Sequence, residues 1–182
     1  FHAARPLAAL FSPEISLADP AVVRPAWQWP CLGLPALSQW QDKPSWAARL
    51  AALYSLTLGK PRVLVVSVES LLLRYMPVNF FHTRTLELGK GSDYAPELLL
   101  EQAVEWGYER VAMVTRPGEM ARRVDILDLY PAGYARPVRL EFFGDTLEEM
   151  RFFDAETQRS LQGCDELTLL PVSPLAFDTR ET

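Results

Sequence analysis

At 182 residues, with 49% hydrophobic and 11% aromatic side chains, the chain can bury one generous domain or two small ones, and global disorder is excluded. The formal net charge of −5 argues against a protein that grips nucleic acid over its whole surface. No apolar run approaches the roughly 20 residues of a membrane span; the longest, Val63 to Val68, is strand-sized.

The first residues, Phe1-His2-Ala3, carry no basic leader before an apolar stretch, so no secretory signal is expected. A start at Phe rather than Met points to a piece of a longer, cytoplasmic protein. Cys31 and Cys164 lie far apart, and the two histidines, His2 and His82, sit at no ligand spacing from anything. Two buried or half-buried thiols in a reducing cytosol are expected, with no metal and no cofactor.

Residues 1–42 are rich in proline and tryptophan, with Pro20, Pro25, Pro30 and Pro35 evenly spaced. Proline removes donors and fixes the backbone, which predicts an irregular stretch after a short helix around Pro6 to Phe11. Trp27, Trp29 and Trp40 then need a neighbouring layer to pack on. Ser45, after Pro44, is a good helix cap, and Trp46, Leu50, Leu53 and Tyr54 share one face up to a stop at Gly59. The apolar run from Arg62 to Val68 predicts a strand buried on both faces, and Glu69 to Tyr75 a short helix ended by Pro77. Helix, buried strand, helix is the rhythm of an α/β layer.

A second unit is predicted to begin near Thr85. Thr85 to Leu88 alternates as a strand, Gly89 to Asp93 reads as a hairpin turn, and Tyr94 to Trp106 as an amphipathic helix closed by Gly107, with Leu98, Leu99, Ala103 and Trp106 inward. Strands are expected at Arg110 to Thr115, Val124 to Tyr130, Val138 to Phe143 and Leu147 to Phe153, with Gly144-Asp145 at the tight turn between the last two. The fold class expected is α/β: a partial α/β unit over residues 1–84, a small α+β domain with an antiparallel sheet over 85–171, and a linker or return segment over 172–182.

Catalytic signatures fail one by one. Gly89-Lys90-Gly91-Ser92 invites a phosphate loop, but Arg84 stands where that loop needs its first glycine, and Gly91 follows the lysine where Ser or Thr is required. Asp165-Glu166 follows Gly163-Cys164 rather than an apolar strand, so a surface loop is expected instead of a Mg²⁺-holding pair. Neither Gly-x-Ser-x-Gly nor a Cys/His arrangement occurs. Glu148 and Glu149, adjacent on a strand, point to opposite faces and cannot act as a couple. The sequence offers no catalytic residue, and no enzyme activity is expected of this chain.

Charge remains. Between Arg110 and Arg139 six arginines (110, 116, 122, 123, 136 and 139) face Glu119, Asp125 and Asp128, a local surplus of three in an acidic chain. Alternation in the strand from Val138 sets Val138, Leu140 and Phe142 on one side, and Arg139, Glu141 and Phe143 on the other. Arg123 is expected to lead straight into a strand that pairs with the strand of Arg139. Arg123 and Arg139 then approach one another, with Phe143 further along the same face. Arginine beside an exposed aromatic is the composition of an interface hot spot. The plainer alternative pairs these arginines with Glu119, Asp125 or Glu141 on a solvated sheet.

Three blocks, Gly118-Glu119-x-Ala121-x-Arg123-x-Asp125 through Pro131, Arg139-Leu-Glu-Phe-Phe-Gly-Asp145, and Arg151-x-Phe-Asp154-x-x-Thr-Gln-Arg-Ser160, resemble the UvrB-homology region shared by the bacterial repair proteins UvrB and Mfd, the transcription-repair coupling factor. Upstream, Ala48-Arg49-Leu50-x-x-Leu53-Tyr54 and Val63-Leu-Val-Val-Ser-Val-Glu-Ser-Leu are similar to the part of Mfd just before this module. The missing phosphate loop favours Mfd; the alternative is a fragment of the UvrB nucleotide-excision-repair helicase, which handles damaged DNA. The resemblance implies that the first unit is a degenerate RecA-like layer. It also implies a parent that is an ATP-driven DNA translocase, meeting RNA polymerase and DNA through other domains, while this module recruits UvrA. The family's UvrA-contacting arginines and phenylalanine fall on Arg123, Arg139 and Phe143. Phe143→Ala and Arg139→Glu are then expected to weaken UvrA binding with folding unchanged. One departure stands out: the family usually has Gly where this chain has Val124. If that Gly serves a positive backbone angle, Val124 is expected to change the local course of the chain and reorient Arg123.

Overall fold

The structure, a computed structural model, describes residues 31–33, 43–59, 63–66, 68 and 75–173. The expected helix around Pro6 to Phe11, the tryptophans Trp27, Trp29 and Trp40, the body of the Glu69 to Tyr75 helix and the return segment beyond Ser173 lie outside these residues.

Helix α1 (Lys43–Thr57) has a central run of strong helix formers, alanine and leucine above all, and buries Ala47, Leu50, Ala51, Leu53 and Tyr54. It starts two residues before Ser45, so Pro44 occupies the first turn, where its missing N–H costs nothing, and Ser45 lies inside the helix rather than capping it. Gly59, at φ +63°, ends it as expected. Two short strands, β1 (Cys31–Gly33) and β2 (Val63–Val65), pair in parallel on either side of α1 in the sequence. A parallel pair needs such a crossover. The unexpected helix α2 (Val78–Thr83) follows Pro77 directly and buries Phe80 and Phe81, with the Phe81 ring 5.9 Å from that of Tyr54.

Strand β3 (Leu86–Gly89) pairs antiparallel with β10 (Glu166–Leu169), close to the other end of the described chain. The turn from Gly89 to Asp93 is therefore no hairpin. Its amides are taken up by protein carbonyls: Lys90 N–H donates to Asp165, Gly91 N–H to Leu147 and Ser92 N–H to Gly89. Helix α3 (Pro96–Glu105) buries Leu99, Leu100 and Ala103 and stops at Gly107, while Leu98, expected inward, faces out.

The main sheet has six strands in the order β4 (Glu109–Arg110), β5 (Glu119–Arg123), β6 (Ile126–Leu129), β7 (Val138–Phe143), β8 (Thr146–Phe153) and β9 (Ser160–Gly163). All neighbours run antiparallel except β4 and β5. Mixed helix and sheet, with two parallel pairs, β1–β2 and β4–β5, among the short strands, agrees with the expected α/β class.

Two strand expectations need correction. The strand predicted over Arg110 to Thr115 ends at Arg110, because Pro117-Gly118 breaks the run and the Glu119 carboxylate gathers the loop. It accepts from Thr115 N–H (2.7 Å), the Thr115 hydroxyl (3.0 Å) and Arg116 N–H (2.9 Å), all on Oε2, and from Arg116 Nε (3.1 Å) on Oε1. The strand predicted from Val124 begins at Ile126, since Val124-Asp125 is itself a two-residue hairpin loop between the paired residues Arg123 and Ile126. Asp165-Glu166 is exposed as expected, but Glu166 opens strand β10.

One face of the sheet supplies Met120, Leu127, Leu129, Val138, Leu140, Phe142, Met150 and Phe152 to a core continuous with α1, α2 and α3. Beyond the core, Lys43 of α1 reaches Glu109 of β4 at 2.9 Å. No helix among the described residues is long and apolar enough to cross a membrane.

Candidate functional site

The opposite face of the sheet carries the charge. The ladder register sets Ala121 and Arg123 of β5, Ile126 and Asp128 of β6, Arg139 and Glu141 of β7, and Glu149 and Arg151 of β8 on that one face. Phe143 follows by alternation beyond Glu141. All three residues singled out from the sequence thus share a face. Their strands are not neighbours, however: β6 lies between the strand of Arg123 and that of Arg139, a separation of about 10 Å by strand spacing.

This face is divided. Towards its lower half the loop after β4 folds back, so that Val114, Ala121 and Phe153 form a small second core flanked by Val111 and Tyr130. The turn after β8 locks that loop, with Gln158 Nε2 donating to the Val114 carbonyl at 3.0 Å. The Glu119 carboxyl anchors the same loop. Burial alone pushes its pKa up, but the hydrogen bonds from Thr115 and Arg116 outweigh that and hold it below the ordinary carboxylate range.

Arg139 stands at the border of the covered half. It donates Nε to Asp128 Oδ1 at 2.7 Å and Nη2 to Asp128 Oδ2 at 2.9 Å, and its guanidinium lies 4.8 Å from the centroid of the Phe153 ring. The side chains are 14% and 1% exposed, respectively. The sequence reading expected a solvent-facing Arg139 whose replacement by Glu spares the fold. The geometry corrects this, because Arg139→Glu would set two carboxylates against each other at a buried site. Asp128 was missed as a partner. Its signal was the lone acid inside Ile126-Leu-Asp-Leu129, which only a correct register places opposite Arg139.

The uncovered half is the end of the sheet where two hairpins turn. The loops Val124-Asp125 and Gly144-Asp145 are both two residues long, and they lie side by side, with Phe142 N–H donating to the Asp125 carbonyl at 2.8 Å. In each loop the first residue has positive φ, +38° at Val124 and +60° at Gly144, the position at which such turns favour glycine. Val124 adopts the left-handed conformation that this turn position favours in glycine, at a cost of roughly 1–2 kcal/mol for an L-residue, and Arg122 Nε donates to its carbonyl at 3.4 Å.

The residues immediately before these two turns are Arg123 and Phe143. The Phe143 ring is 75% exposed and Val124 83%. Arg123 is exposed and forms no ion pair among the described residues. Its neighbours are paired: Arg122 with Glu97 of α3, Arg116 with Glu119, Arg136 with Asp154 and Arg151 with Glu149. An uncompensated cation beside bare apolar side chains at one sheet end suits an acidic, apolar macromolecular surface. Among the described residues no cluster of His, Cys, Asp and Glu has the arrangement of a metal site.

Comparison with known proteins bears on the same region. Residues 86–174 match the family described as the UvrB interaction domain. The transcription-repair-coupling factor of Escherichia coli strain K12 is 35% identical over 165 residues, 91% of this chain and 14% of that protein. Over most of its length this chain is similar to a segment of the transcription-repair-coupling factors, and its residues 86–174 carry the match to the UvrB interaction domain. The Haemophilus influenzae factor is 33% identical over 134 residues, 74% of this chain and 12% of its own length, and the Bacillus subtilis factor is 32% identical over 135 residues, with the same two shares. The chain thus spans about one seventh of the E. coli relative's length or less of the others.

Proposed function

We propose that this chain is the protein-interaction module of a transcription-coupled DNA repair factor, that it docks UvrA and so recruits it to stalled RNA polymerase, and that it has no catalytic activity of its own. The observation that carries the reading is the bare Phe143 ring at a hairpin tip on the arginine face of a domain matching the UvrB interaction family. Phe143 fills an apolar pocket on UvrA, and Arg123 pairs with an acid at its rim. Arg139, held by Asp128, contributes the outer edge of its guanidinium and fixes the plane of the β6–β7 ladder. Contacts with DNA and RNA polymerase belong to other parts of the parent protein, and the domain boundary lies near residues 84 and 85. A titration of the chain against purified UvrA tests the reading: saturable binding is expected, and no binding at micromolar protein would remove it.

A further inference from the structure

We infer that Val124 is a specificity-determining contact, a second apolar knob beside Phe143, so that the partner presents a pocket broad enough for a benzyl ring and an isopropyl group together. The inference rests on the UvrA reading above and deepens it. Three observations converge. Val124 is a β-branched residue at φ +38°, where such residues are genuine outliers, and outliers of this kind cluster at binding sites. It is 83% exposed, so no packing in the fold accounts for its side chain. Its loop lies against the strand end of Phe143 through the bond from Phe142 N–H to the Asp125 carbonyl at 2.8 Å, and Arg123 precedes it directly.

The strained apolar side chain therefore extends the bare end of the sheet next to the one arginine of this face that forms no ion pair among the described residues. A pocket with an acidic rim and an apolar floor wider than one ring complements that arrangement. The competing role, a turn residue and nothing more, makes an opposite prediction, because Gly suits this conformation better than Val.

The test titrates UvrA against the intact chain and three variants: Val124→Gly, Val124→Thr and Phe143→Ala. Val124→Gly removes the side chain and the strain; Val124→Thr keeps the branching and the backbone demand but replaces a methyl by a hydroxyl. The expected result is about tenfold weaker binding for Val124→Gly, a smaller loss for Val124→Thr, and a melting temperature for Val124→Gly equal to or above that of the parent. Binding of Val124→Gly at parental strength, with Phe143→Ala impaired, would overturn the role of Val124 and leave the UvrA reading standing. Loss in Val124→Gly but none in Val124→Thr would assign the effect to the backbone and equally overturn it. Parental binding by all three variants would overturn both.

Discussion

Asp128 and Arg139 face each other across the β6–β7 ladder and close a two-pronged ion pair, with the guanidinium resting against Phe153. Truncating the arginine leaves a carboxylate that is 1% exposed without its counter-charge. Arg139→Ala is predicted to cost about 3 kcal/mol of stability, seen as a lower urea midpoint. The double variant Asp128→Leu/Arg139→Met, apolar on both sides, should recover most of it. An Arg139→Ala protein with an unchanged midpoint would show the pair to be incidental.

Arg123 behaves differently because nothing in the described fold depends on its charge. Arg123→Glu is predicted to leave the melting temperature unchanged while slowing association with UvrA and flattening the salt dependence of that rate. Stopped-flow association at several ionic strengths reads this directly; parallel salt slopes for the two proteins would contradict it.

The depressed carboxyl of Glu119 makes stability depend on pH with a fixed sign. Its contribution is complete above the unfolded-state value of about 4.3 and is lost as pH falls through the lower folded value. Urea midpoints should therefore drop on acidification, and Glu119→Gln should drop less steeply over the same range while starting from a lower midpoint near neutrality. Identical pH slopes would mean that the loop after β4 is held by something else.

Burial pushes the Cys164 thiol up to about 11, so at neutral pH it is almost wholly protonated. In a Cys31→Ser background Cys164 is predicted to react slowly with a thiol reagent in the native protein. The reaction should speed up with rising pH, and strongly on unfolding. Native labelling as fast as that of the unfolded chain at pH 7.5 would contradict this burial.

What could be read from the sequence, and what could not, follows from the range of the interactions. Period-two alternation placed β7 and the Gly144-Asp145 turn correctly, and leucine and alanine spacing placed α1 and α3, since each depends on neighbours within one turn or one pleat. The β5–β6 hairpin was lost because its turn is built on Val124, a residue type that gives no turn signal, although it holds a positive φ. With that turn missing, Arg123 moved onto the wrong strand and Asp128 lost its place opposite Arg139. The pairing of β3 with β10 joins segments almost eighty residues apart, which no local pattern announces. The exposure of Phe143 was legible, because a large ring fell on the charged side of an alternating strand.

The most direct measurement is calorimetric titration of UvrA with this chain and with Phe143→Ala. Saturable binding by the parent chain is expected, with a loss of about 2 kcal/mol or more in the variant and both proteins melting at the same temperature. Equal affinity for the two proteins, or no heat from either, would contradict this expectation.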